Sequence, residues 1–149
     1  MNDIEKAKDI LFKENLTCVI LKGDKLYKST KRGVSPIMEL IDNDVNIEGA
    51  FVADKVIGKA AALLFMLCRV KEIYSPVMSE PAIEALKLSD IKFHYEESVP
   101  YIINRTNDGQ CPMEKAVRKV DDPKEALIKI RDKIKELSNK SGPPAKPEA

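Results

Sequence analysis

The stretch VIGKAAALLFMLC, residues 56–68, decides how the rest of the chain is read. It is apolar on almost every side, and Lys59 is its only charged residue. A helix without a polar face belongs inside a domain rather than on its surface. A lysine in such a helix must reach water along its own stem or sit in a polar pocket. A desolvated lysine can serve as a base or a nucleophile, so Lys59 marks the first place to look for chemistry.

The flanks of this helix read as strands. The segment 50–53 (AFVA) is a short strand, and Asp54 then caps a buried helix over 55–68. KEIYS (71–75) is the next strand, Ser79 and Glu80 open a helix to about residue 88, and IKFHY (91–95) is a further strand. Upstream, Asp3 caps a first helix with Ile4, Ala7, Ile10 and Leu11 on one face. Segments 17–21 (TCVIL) and 25–29 (KLYKS) form a hairpin around Lys22-Gly23-Asp24. Ser35-Pro36 starts a short helix ending near Asp42.

Strand, helix, strand, helix, strand after a hairpin is the pattern of an α/β domain with parallel crossovers. Short apolar strands need cover on both faces. The expected architecture is therefore a three-layer helix–sheet–helix domain with a mixed sheet of about five strands. Residues 99–110 carry no periodicity and read as a long loop, a length that is often functional. Cys111-Pro112 opens a helix to about residue 119, and Asp122-Pro123-Lys124-Glu125 is a capping box for a last helix. That helix sets Ala126, Leu127, Ile130, Ile134 and Leu137 at helical spacing. One domain over 1–137 is expected, followed by a disordered Pro-rich tail over 138–149.

Composition narrows the function. At 149 residues and 44% hydrophobic content the chain can build a core without staples. A net charge of +1 gives no field to draw in nucleic acid or a membrane surface. The longest apolar run, 60–68, falls far short of the ~20 residues of a membrane span. Cys18, Cys68 and Cys111 are odd in number and dispersed, which argues for a reducing cytoplasm rather than a disulfide framework. The first residues, MNDIEKAKD, are charged and lack the apolar core of a signal peptide. No metal or other cofactor is expected: His94 is the only histidine, it alternates away from the apolar residues of its strand, and the cysteines are not spaced for zinc.

Three clusters could carry chemistry. Asp54, Lys55, Gly58 and Lys59 stand at a strand-to-helix junction, where open α/β sheets bind ligands and helix amides attract anions. Placed on one helix, Lys55 and Lys59 would share a face, with Gly58 leaving room beside them. The sequence is not a phosphate loop, because no upstream glycine and no following Ser or Thr accompany Gly58-Lys59. The bland account is an N-cap aspartate and a lysine reaching water. Tyr101, Asn104, Arg105, Asp108, Gly109 and Cys111 form the second cluster, with Cys111 at a helix start where a thiol is more reactive. Arg105 could grip a carboxylate or phosphate. The bland account is a small buried cysteine ending a loop. Ser79 and Glu80 form the third, for which capping and the helix dipole are sufficient reasons.

The segments ADKVIGKAAALLF, YSPVMSEPAIEAL, VPYIINR and CPME resemble those of a small uncharacterised family of bacterial and archaeal proteins placed among cytidine deaminase-like folds. The resemblance runs from the first helix to about residue 136 and implies a cytidine deaminase-like fold with both helix starts facing one pocket. Zinc deaminases carry a His or Cys ligand and a glutamate at the first of these helices and a Pro-Cys-x-x-Cys pair at the second. Here Gly58-Lys59-Ala60 and Ser79-Glu80-Pro81-Ala82 stand at those places, so the resemblance does not bring zinc chemistry with it.

The leading expectation is a zinc-free deaminase-like domain binding a small anionic or nucleotide-like ligand. Its pocket would use Lys55, Gly58, Ser79, Glu80, Asn104 and Arg105. One alternative is an enzyme in which Cys111 is the thiolate, Lys59 an acid or base and Asp54 its orienting group. The other is an interaction module whose partner is a second copy of the chain, through the hairpin or the last helix.

Overall fold

The computed structural model describes residues 1–103 and 111–141, with side chains to residue 139. Helix α1 (Asp3–Lys13) leads into a hairpin of β1 (Cys18–Lys22) and β2 (Lys25–Ser29), then α2 (Ser35–Asp42). Gly23 takes a φ of +60° in the hairpin turn, a conformation in which a side chain would be strained. Next come β3 (Phe51–Asp54), β4 (Val56–Ile57), α3 (Lys59–Leu67), β5 (Glu72–Ser79), α4 (Glu80–Lys87) and β6 (Lys92–Val99). Two further helices, α5 (Pro112–Ala116) and α6 (Pro123–Ser141), follow.

The sheet is mixed, open and six-stranded. β1 lies between β2 and β3 and is antiparallel to both, whereas β3, β4 and β6 all run parallel to β5. β3 and β4 are two halves of one line along β5. Ala53 pairs with Tyr74 and Val56 with Val77, so the register carries straight across the gap at Lys55. That gap faces Pro76, which has no amide to donate. The Lys55 amide goes to the Thr17 carbonyl instead, at 2.9 Å.

Alternation along the strands sorts the core into two layers. Ile20, Val52 and Ile73 join the large cluster under α2, α3, α4 and α6, in which Phe65, Leu63 and Leu64 are fully buried. Val19, Ala53 and Tyr74 point the other way, against Ala7 and Leu11 of α1. At about 25 cal/mol per Å² of apolar surface, α3, apolar from Ala60 to Leu67 and packed among the other helices, gains more from burial than from any local propensity.

Several expectations are corrected. The sheet has six strands rather than about five, because the chain stays extended through Ile57 and α3 begins only at Lys59. Gly58, not Asp54, is the N-cap of α3. Asn2, not Asp3, caps α1, in a reciprocal box with Glu5. β5 and β6 run longer than 71–75 and 91–95, since pairing between neighbouring strands extends both to eight residues. α6 continues past Leu137 to Ser141, so the expected tail boundary at 138 falls inside the helix, and residues 142–149 lie outside the described residues. Among the described residues no helix is long and apolar enough to cross a membrane.

Candidate functional site

β4 feeds α3 and β5 feeds α4, and β4 and β5 are neighbours in parallel. The two helix starts therefore lie side by side at the carboxyl ends of their strands. Each start leaves backbone amides that need acceptors.

At α4 the acceptor is local. Ser79 is fully buried, its Oγ accepts from the Ala82 amide at 3.2 Å, and Glu80 sits exposed in the first turn. At α3 nothing local is available, because Gly58 has no side chain. The acceptor comes from α5. Glu114 is 7% exposed, and its carboxylate accepts from the amides of Lys59 (2.7 Å) and Ala60 (3.2 Å). A Cβ built on Gly58 would lie 2.5–2.6 Å from three atoms of that carboxylate, so the glycine is the space the carboxylate fills. Burial pushes the Glu114 carboxyl above its ordinary range, and the two amides and the nearby Lys59 ammonium pull it back in part.

Lys59 completes the joint from the other side. Its side chain is 11% exposed, and its Nζ donates to the Arg118 carbonyl at 3.1 Å and meets Asp121 at 3.4 Å. Asp121 is 87% exposed, so that ion pair opens to water and is worth little. The carbonyl bond matters more. Each element closes the other's open backbone groups: α5 caps the start of α3, and α3 caps the turn that follows α5.

Asp54 stands elsewhere. It is 6% exposed, at the end of β3, directly across from Cys18 in the β1–β3 register. Burial raises its carboxyl to about 8, against the weaker pull of hydrogen bonds from the Val56 amide and Cys18. At neutral pH it is therefore mostly protonated. Burial and the adjoining Asp54 raise the Cys18 thiol as well. Lys55 is not on a helix and shares no helical face with Lys59; its Nζ donates to Asn15 at 3.0 Å, beside the α1–β1 connection.

Cys111 occupies the N-cap position of α5, half-buried, with its amide donating to the Ile102 carbonyl at 3.0 Å and no capping bond from its sulfur. α5 is a single short turn of helix, so it offers the thiol only a weak dipole. Asn104, Arg105, Asp108 and Gly109 lie outside the described residues, and Tyr101 is exposed. His94 is half-exposed on β6, with its Nε2 2.6 Å from Glu72 Oε2.

The structure thus brings Gly58 and Lys59 together with Glu114, a residue that no local pattern in the sequence links to them. One signal was available. A helix start with glycine where Ser, Thr, Asp or Asn usually stands announces a missing acceptor.

A family model described as a domain of unknown function, DUF1893, matches residues 6–134. No curated protein matches the chain. Among solved structures, the crystal structure of a DUF1893 family protein from Thermotoga maritima is similar at 31% identity and a TM-score of 0.80. The match covers 91% of this chain and 90% of that one. The chain belongs to the DUF1893 family.

Proposed function

We propose that this protein is a zinc-free, cytidine deaminase-like scaffold that works as an interaction module rather than through chemistry at its paired helix starts. The finer fold assignment is supported by α3 and α4 both springing from the ends of adjacent parallel strands. The functional reading is carried by one observation: the Glu114 carboxylate of the same chain sits on the first two amides of α3, against Gly58. That is the place where a zinc deaminase carries its metal ligand and its glutamate.

The residues there do not fit a zinc ion. Gly58, Lys59 and Ala60 offer no ligand, and the two amides and the ammonium present hydrogen-bond donors and positive charge, the wrong polarity for a cation. Among the described residues no group of three His, Cys, Asp or Glu could hold a metal ion. A cytoplasmic setting is proposed from the three free thiols of Cys18, Cys68 and Cys111.

A second reading has an observation in its favour. Two amides already hold a carboxylate, with the Lys59 ammonium near enough to favour its charged form, so a small anionic or nucleotide-like ligand could compete with Glu114 for the same cradle. Thermal shift decides between them, since a ligand that binds the folded state must stabilise it. The full chain is heated with acetate, inorganic phosphate, nucleotides and sugar phosphates. The module reading expects no rise in Tm for the unaltered chain, and acetate or formate to restore part of the stability lost in Glu114→Ala. A dose-dependent rise in Tm of the unaltered chain overturns it in favour of the ligand reading.

A further inference from the structure

The sheet has two edges, and they are built differently. β2 is the five-residue arm of a hairpin, sequence KLYKS, and its Lys28 is tied to Glu14 at 2.8 Å. Short length and lysines are the usual devices that keep an edge from pairing. β6 is longer, and its one lysine, Lys92, stands at its very start. It is eight residues long, KFHYEESV, contains no proline or glycine, and keeps a constant register against β5 from Lys92 to Val99. Among the described residues no strand pairs with its outer edge. Its residues from His94 to Ser98 are all exposed.

We propose that β6 is a self-association edge: two copies of this chain pair β6 antiparallel about a two-fold axis through His94, joining two six-stranded sheets into one. This rests on the interaction-module reading and names its partner. Charge and ring complementarity favour this pairing. A two-fold axis perpendicular to a sheet sets residues of equal parity opposite each other, so the register must centre on a residue. Centred on His94, Lys92 meets Glu96 of the second copy and Phe93 meets its Tyr95, each twice. Phe93 and Tyr95 are already stacked within one chain, with centroids 6.4 Å apart and planes at 13°. Tyr95 is 43% exposed, so the pairing would cover it and close a four-ring cluster.

The neighbouring registers are worse. Centring on Tyr95 sets Phe93 against Glu97, and centring on Glu96 sets two glutamates face to face. Centring on Phe93 sets Lys92 against His94. Opposite charges directly across a pair of strands stabilise it, and like charges destabilise it. The strand's order, basic end first and acidic end last, suits antiparallel self-pairing and no parallel partner of the same sequence.

The test uses light scattering and oxidative cross-linking on the full chain. The unaltered protein is expected at twice its 16.7 kDa mass at about 100 µM. Lys92→Glu places glutamates opposite Glu96 and should weaken association by about tenfold or more. The swap Lys92→Glu with Glu96→Lys should restore it. Glu96 also accepts from the Tyr74 hydroxyl at 3.1 Å and pairs with Lys8, so each variant's fold is checked by circular dichroism. Independently, His94→Cys puts two thiols at the axis, close enough for a disulfide between copies, which peptide mapping would locate. A monomer at that concentration overturns the proposal, as does a dimer that is indifferent to Lys92→Glu and in which the His94→Cys variant forms no disulfide across the axis. Neither result touches the module reading, which fails only if anions raise the Tm of the unaltered chain.

Discussion

The starts of α3 and α4 lie next to each other, do the same job and are finished in opposite ways. α4 is capped by Ser79, three residues from the amide it serves. α3 is capped by Glu114, which stands 55 and 54 positions along the chain from its two amides. A local cap stabilises one helix. A distant one also fixes where another element sits, so removing it loosens two elements at once. The contrast separates a feature a sequence displays from one only the folded chain creates.

Glu114→Ala is the severest way to break the contrast. It strips two amides of their acceptor inside the protein and leaves a gap beside Gly58, and a loss of about 2–4 kcal/mol is expected in urea unfolding. Gly58→Ala comes next, at about 1–3 kcal/mol, because its methyl must displace the carboxylate. The two should be strongly non-additive, since both remove one joint. A double mutant whose loss equals the sum of the singles would show that the joint is not shared.

A pH series sharpens the picture at the other buried acid, Asp54. The folded Asp54 carboxyl holds its proton more tightly than the unfolded chain does. The stability it provides is therefore complete below the ordinary carboxylate pKa and is lost as pH climbs through about 8. A slope of at most about 1.4 kcal/mol per pH unit is expected across that window. Asp54→Asn should flatten it, leaving a smaller fall of the same sign from Glu114, whose carboxyl is also raised by burial. Denaturation midpoints from about pH 5 to 9 measure both. Ser79→Ala should cost about 1 kcal/mol, the ordinary value of a cap, with no effect on α5. Lys59→Met should cost less, about 0.5–1 kcal/mol, because it gives up one carbonyl bond and an exposed ion pair while keeping the stem's packing. A Lys59→Met loss as large as that of Glu114→Ala would reverse the assignment of which side carries the joint.

What the sequence made legible follows the same division. The hairpin at Gly23, the Ser79 cap and the Asp122 cap of α6 all depend on neighbours a few residues away, and each is found in the fold; the apolar run 56–68 is buried from Ile57 to Phe65, with Val56 exposed and 66–68 half-buried. The start of α3 was misplaced because an extended Val56–Ile57 pair is stabilised by β5, a partner twenty-one positions on in the register Val56↔Val77. Asp54 looked like a cap for the same reason; its true neighbour, Cys18, is brought to it by an antiparallel register that no local pattern announces. Lys59 stood out correctly as a buried amine, but its partners, Arg118 and Asp121, belong to a segment whose docking depends on Glu114.

Pro76 has a consequence for how the molecule opens. It stands in the middle of β5, where it can donate nothing, and the Val77 amide turns to the Ser75 hydroxyl at 3.3 Å. The central ladder is thereby split into a lower patch that includes β1–β3 and an upper one holding β4 and the last residues of β5 and β6. Deuterium should enter the upper amides, such as Ile57 and Met78, sooner than those of Val52 and Ile73. Both helix starts hang from that upper patch, so the sheet has a built-in seam that would let them breathe together while the rest stays closed.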